Sequence, residues 1–155
     1  MKTVLSLILL AFSIMGASVG TARDALIETL DSVGCDGEQT DIVSVTAENS
    51  YVLGLDEDDF ENIESAALAS CADGGRKAVI FASDKKTARK IYDKLWKNFE
   101  FPACDASDAI IFLRSGDKIA FFKGGDADVE AYSRAFCDAF GAEAMKMLKN
   151  PAKKK

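Results

Sequence analysis

Cysteine is the residue type of this chain best suited to covalent chemistry. The four cysteines lie at near-equal intervals, at Cys35, Cys71, Cys104 and Cys137. An even number of cysteines in an exported chain predicts two disulfides, with four buried free thiols as the alternative. The cysteines do not cluster in the sequence as the ligands of a structural zinc ion do, so their spacing does not support a metal site.

Histidine is absent from the sequence. Its absence excludes a Ser-His-Asp triad, a Cys-His nucleophile pair and histidine-ligated zinc or haem. The net charge of −6 argues against non-specific binding to nucleic acid. We therefore expect no cofactor and no metal, and a partner that is another protein rather than nucleic acid.

Charged side chains form the remaining candidate sites. The acidic segments 55–64 and 124–130 lack the glycine or the final glutamate of a calcium-binding loop, so they are predicted to be acid-stabilised helix starts. A basic patch at the start of another predicted helix consists of Lys85, Lys86, Arg89 and Lys90. This patch is either a site for an anion or acidic partner, or a solvated helix face.

Hydrophobic periodicity predicts the elements that position these residues. The predicted helices span 24–34, 57–71, 85–99 and 127–148, and the predicted strands span 41–45, 51–55, 77–82, 109–113 and 118–122. The last two strands flank a turn containing Gly116 and are predicted to form a hairpin. Alternating strands and helices indicate one α/β domain, with a mixed sheet, helices on both faces and an extra N-terminal helix.

A buried strand leads directly into a helix at "KAVIFASDKKT", residues 77–87. Asp84 stands where the helix begins. A carboxylate at that position accepts hydrogen bonds from the free backbone N–H groups of the first turn. The sequence therefore predicts Asp84 as the N-cap of this helix, and no thiol stands at the junction.

From Tyr51 onward the pattern resembles the thioredoxin fold, over about residues 51–140. "YVLGLDEDDFENIESAA" resembles the opening strand and helix of that family, "RKAVIFAS" its central strand, and "AIIFLRSGDKIAFFKGGDADVEAY" its closing hairpin and last helix. "SDKKT" replaces the family's Cys-x-x-Cys, and Ser107 or Asp108 replaces its cis-proline. Residues 100–108 are also too few for the strand and helix that the family has there. The resemblance thus implies a thioredoxin-like mixed sheet without dithiol chemistry.

A thioredoxin-like sheet implies one pattern of disulfides. The first two helices would share one face and bring Cys35 to Cys71, and the last two would share the other face and bring Cys104 to Cys137. Crossed pairs would have to pass through the sheet, which the short reach of a disulfide does not allow.

The N-terminus "MKTVLSLILLAFSIMGASVGTA" is predicted to be a secretory signal, with an uncleaved membrane anchor as the alternative. Lys2 supplies the positive charge, and the apolar run from Val4 to Met15 is too short to span a bilayer. Small residues then place cleavage after Gly20 or Ala22.

The expected organisation is a signal peptide over 1–22, one domain over 23–149 and a basic disordered tail over 150–155. After cleavage no membrane span is expected, and the protein is predicted to be secreted, periplasmic or in the secretory lumen.

The function predicted from these features is an exported, non-catalytic binding or chaperone-like module. Two alternatives stay open. One is a thiol–disulfide enzyme that acts through a single cysteine, Cys104, which lies close to Pro102. The other is a secreted effector.

Overall fold

The computed structural model describes residues 20–33, 41–70 and 75–153. In these ranges the α-helices are α1 (Ala22–Val33), α2 (Glu57–Phe60), α3 (Lys85–Asn98) and α4 (Asp126–Phe140). The strands are β1 (Asp41–Ser44), β2 (Ile63–Ser70), β3 (Arg76–Ala82), β4 (Ala109–Ser115), β5 (Lys118–Gly124) and β6 (Ala144–Lys149). Two 3₁₀ helices span Ala47–Leu53 and Pro151–Lys153. Residues 1–19 of the predicted signal peptide, and also Cys35 and Cys71, lie outside the described residues.

The strands form a six-stranded sheet in the order β1-β2-β3-β5-β4-β6, which confirms the predicted α/β class. Every pair of neighbouring strands in this sheet is antiparallel, so the expected mixed sheet is wrong for the described strands. The physical reason is that short connections join β2 to β3 and β4 to β5, and short connections link antiparallel neighbours. The predicted β4–β5 hairpin is confirmed, with Gly116 at φ 59° in its turn.

Helices pack on both faces of the sheet. On one face α1 and α4 bury Leu26, Tyr132 and Phe136 against the strands. On the other face α3 contacts β3, β4 and β5 and buries Ile91 and Leu95. Because successive side chains of a strand alternate between faces and both faces are covered, β3 and β4 are buried at almost every position.

The predicted helix over 57–71 is wrong. Helix α2 ends at Phe60, and the chain from Ile63 to Ser70 forms β2 between β1 and β3. Alanine favours helix, and the alanines of this segment matched a helical period. The run from Ala66 to Ala69 is nevertheless buried without interruption, as in a strand covered on both faces, so burial between helix layers outweighed the local preference.

Two further predicted boundaries are corrected. The helix expected over 127–148 ends at Phe140, where Gly141 at φ 77° takes a backbone conformation that favours glycine, and Ala144–Lys149 pairs with β4 as β6. The strand expected over 51–55 is instead part of the 3₁₀ helix Ala47–Leu53, which ends at Gly54 in the left-handed conformation. Just after the predicted domain end at 149, Asn150 is 2% exposed and its side-chain amide donates to the Ser107 backbone carbonyl at 2.8 Å.

Helix α3 begins as the sequence predicts. The Asp84 carboxylate accepts a hydrogen bond from the Thr87 backbone N–H at 2.7 Å, so Asp84 is the N-cap. The hydrogen bonds from Thr87 lower the pKa of Asp84 below its ordinary value. Within the described ranges no helix combines the length and the apolar character needed to cross a bilayer.

Candidate functional site

A cavity of about 280 Å³ lies on the face of the sheet that α3 covers. Its floor is formed by Ile110 and Phe112 of β4 and by Phe121 of β5. These side chains reach the same face because positions two apart on a strand point the same way, and Phe121 is the partner of Phe112 in the register. The floor is therefore held by central strands of the sheet rather than by loops.

Aromatic packing fixes the shape of this floor. The rings of Phe99 and Phe112 are 5.8 Å apart and arranged edge to face, and those of Phe112 and Phe121 are 6.0 Å apart and tilted. Edge-to-face and tilted arrangements are the favoured ones for aromatic pairs. The cavity therefore offers a ligand a firm, apolar and largely aromatic surface.

One wall of the cavity is the 3₁₀ helix Ala47–Leu53, which contributes Tyr51, Val52 and Leu53. At its start the Thr46 backbone N–H donates to the Asn49 side chain at 2.6 Å. Tyr51 is 74% exposed, so its ring lies at the mouth of the cavity, whereas Leu53 is buried.

A double ion pair attaches α2, which follows this wall in the chain, to α3. The Nζ atom of Lys94, which lines the cavity, lies 2.8 Å from Asp56 Oδ2 and 2.7 Å from Asp59 Oδ2. Burial raises the pKa of Asp59, but hydrogen bonds from Lys94 and from the Asp56 backbone outweigh burial and lower the pKa below its ordinary value. Hydrogen bonds to the same two carboxylates raise the pKa of Lys94.

Three cations and one acid line the cavity, namely Arg76, Lys94, Lys123 and Glu100. Arg76 and Lys123 are directly opposite each other on β3 and β5. Lys123 donates to Asp105 at 2.5 Å. Within the described part of the chain Arg76 has no such carboxylate partner, so Arg76 is the cation of the cavity that remains unpaired.

A second cavity, of about 450 Å³, lies beyond Phe99 and Glu100, which line both cavities. Its other lining comes from the segment that includes Phe101 and Pro102 and from the segment that includes Leu148 and Pro151. Apart from the end of β6, this lining lies outside the α-helices and strands, and such segments hold binding groups less rigidly than strands do. The first cavity is therefore the stronger candidate site, although it is the smaller one.

The predicted basic patch lies away from the cavity. Its four residues are exposed on α3, and none of them lines the first cavity. Lys85 nevertheless lies close enough to Glu143 to help lower the pKa of that carboxyl, after the larger effects of hydrogen bonds from Arg114 and the Gly116 backbone. The patch is therefore exposed and separate from the aromatic floor, and a role in binding an anion or an acidic partner stays a prediction.

Cys104 and Cys137 are both free thiols, exposed and half-buried respectively. Cys104 belongs to the loop before β4, whereas Cys137 lies in the last turn of α4, near Ser115 at the far end of β4. The seven residues of β4 span about 20 Å, and a disulfide requires Cα atoms within about 7 Å. The predicted bridge between these two residues is therefore wrong. Cys35 and Cys71 lie outside the described residues, so a disulfide involving them stays a prediction.

Sequence reasoning missed an ion pair at that far end of the sheet. Arg114 is 7% exposed, and its Nη1 donates to Glu143 Oε2 at 3.1 Å. The other oxygen of Glu143 accepts from the Gly116 backbone N–H at 3.1 Å. The pair connects β4 to the start of β6, and the long sequence separation left no local signal for it.

Metal chemistry receives no support from the described ranges, because no three His, Cys, Asp or Glu side chains converge there. The chain matches no protein-family model and no curated protein. The functional argument therefore depends on the geometry of the cavity.

Proposed function

We propose that this protein is a non-catalytic binding module that holds a small, largely apolar ligand in the cavity beside α3. Ligand pockets are concave, mostly apolar and fitted with a few polar groups, and they begin at roughly 300 Å³. A cavity of about 280 Å³ is close to that lower limit. A cavity of roughly 150 Å³ is enough for benzene, so the space here accommodates one ring and a short chain.

The observation that carries this proposal is the aromatic floor. Phe112 and Phe121 are almost fully buried, yet both line the cavity. These rings form the floor, and a ligand above it would remove apolar surface from water chiefly at Tyr51, Val52 and Phe99, which line the cavity and are exposed or half-buried. In the described part of the chain no Ser, Thr or Cys lines the cavity, and its two lysines are held in ion pairs with aspartates, so the proposal is binding rather than catalysis.

NMR titration of the labelled protein with 4-phenylbutanol tests the proposal. This probe carries one ring, a short chain and no charge. We expect saturable chemical-shift changes at Val52, Leu95 and Phe112, which line the cavity, and little change at Tyr132 in the opposite core. Changes centred on Pro102 and the second cavity, or no saturable change at all, would contradict the proposal.

We also propose export, which the N-terminal sequence supports. Of the two predicted cleavage points, the one after Gly20 preserves the start of α1. There the Thr21 hydroxyl accepts from the Asp24 backbone N–H at 3.2 Å, and the Ala22 backbone N–H donates to the Ser65 hydroxyl at 2.8 Å. Cleavage after Ala22 would remove both contacts. N-terminal sequencing of exported protein should therefore begin at Thr21, and a start at Met1 would contradict export with cleavage.

The thioredoxin-like assignment remains a proposal about the fold. Its support is the order of elements from β3 through α3, the β4–β5 hairpin and α4. The antiparallel pairing of all described strands does not support the mixed sheet that the resemblance implies. Binding of another protein, thiol chemistry at Cys104 and an effector role stay predictions.

A further inference from the structure

We infer that the ligand of this cavity carries a single anionic head group, such as a carboxylate, and that Arg76 binds that group. This inference rests on the proposed function, because it assigns the polar end of a ligand whose apolar body lies on the aromatic floor. It names a chemical class of ligand: a small amphipathic monoanion.

The first observation that supports the inference is the register between β3 and β5. Arg76 on β3 is the Cα partner of Lys123 on β5, and both side chains line the cavity. Directly opposed side chains on neighbouring antiparallel strands are only about 5 Å apart at Cβ, and like charges in that arrangement repel. An anion bound beside them would relieve this repulsion.

The ion pairs of the cavity then identify the cation that is available. Asp105 pairs with Lys123, and two aspartates pair with Lys94. Arg76 is exposed and has no carboxylate partner within residues 20–33, 41–70 and 75–153. One unpaired cation matches one negative charge, which is why the inferred head group is a monoanion. Arginine suits the role because its planar guanidinium binds a carboxylate through two parallel hydrogen bonds.

Glu100 provides a second prediction, in which neutralising the side chain has the opposite effect on anion affinity to neutralising Arg76. Its side chain lines the same cavity and, among the lining residues that the structure describes, carries the only negative charge. A bound anion would be repelled by this carboxylate, so neutralising Glu100 should strengthen anion binding. A purely apolar site would respond to neither Arg76 nor Glu100.

The test compares 4-phenylbutyrate with 4-phenylbutanol, which share the ring and chain and differ in the charged end. By calorimetric titration at low salt we expect the carboxylate to bind about tenfold more tightly than the alcohol, as one charge-assisted contact allows. Arg76→Gln should abolish this difference, because it removes the charge-assisted contact that only the carboxylate makes. Glu100→Gln should increase the difference, and added salt should reduce it.

Arg89→Gln is the matched control, because Arg89 is exposed on α3 and does not line the cavity. An equal loss in Arg89→Gln and Arg76→Gln would overturn the assignment to Arg76. Equal affinity of the alcohol and the carboxylate for the wild-type protein would overturn the anion inference and leave the proposed function standing. Failure of both probes to bind would overturn both. The melting temperature of the ligand-free Arg76→Gln variant should not be lower than that of the wild type, because the substitution removes a repulsion with Lys123. A marked decrease would indicate that Arg76 has a structural role instead.

Discussion

Lys123 Nζ lies 2.5 Å from Asp105 Oδ2, and the two side chains are only 14% and 7% exposed. This ion pair attaches the loop before β4 to β5 at the edge of the cavity. Burial raises the pKa of Asp105, but hydrogen bonds from Lys123 and the Ser107 backbone outweigh burial and lower the pKa. Removing one partner of an ion pair this well covered is destabilising, because the other charge is left nearly buried without compensation.

Asp105→Ala should therefore destabilise the protein. The substitution leaves Lys123 nearly buried without its partner, and a lost hydrogen bond to a charged group costs about 2 kcal/mol. Urea unfolding provides the measurement. Asp138→Ala is the control, since Asp138 is exposed on α4, and it should change the free energy of unfolding little. Equal effects of the two substitutions would show that the Lys123–Asp105 pair does not stabilise the fold.

Stability should also fall in acid. Asp59 and Asp105 have pKa values below the ordinary value of 3.8 in the folded protein. An acid with a lower pKa in the folded state stabilises the fold above its unfolded pKa, and that contribution is lost as the pH falls through the folded pKa. The urea concentration at the midpoint of unfolding should thus decrease as the pH is lowered below about 4. Lys94→Met should make this decrease smaller. A midpoint that rises on acidification through that window would contradict the assigned shifts.

The thiols give a further prediction. Cys104 is exposed and Cys137 is half-buried, and both are free. In the native, oxidised protein Cys104 should react quickly with a thiol reagent, and Cys137 should react more slowly because its access is restricted. Peptide mapping without reductant provides the measurement. Recovery of a Cys104–Cys137 peptide would contradict the positions of these residues at opposite ends of β4.

Local signals predicted part of this fold correctly. The Asp84 cap, the strand at 77–82 and the hairpin around Gly116 depend on residues close together in sequence, and the structure has all three. The segment Ile63–Ser70 was assigned wrongly because its alanines favour helix in isolation. Its strand conformation depends on pairing with β1 and β3, and pairing between distant segments leaves little trace in a local pattern.

The candidate site was harder to predict for the same reason. Phe112 and Phe121 matched the pattern of ordinary core residues, and Arg76 and Lys123 stood at strand ends without a motif. Only the antiparallel register of β3 and β5 brings the two cations together above the aromatic floor. The available sequence signal was a cation beside each apolar run: Arg76 begins "RKAVIFA" and Lys123 ends "KIAFFK".

Filling the cavity tests the central claim most directly. Val52 lines the cavity, whereas Val43 lies on β1 and is 48% exposed, so Val52→Phe and Val43→Phe make the same change inside and outside the site. The measurement is the affinity for 4-phenylbutanol, after circular dichroism has shown both variants to be folded. Val52→Phe should lose binding because the added ring occupies the space of the ligand, and Val43→Phe should bind like the wild type. Equal binding by both variants would contradict the claim that this cavity is the ligand site.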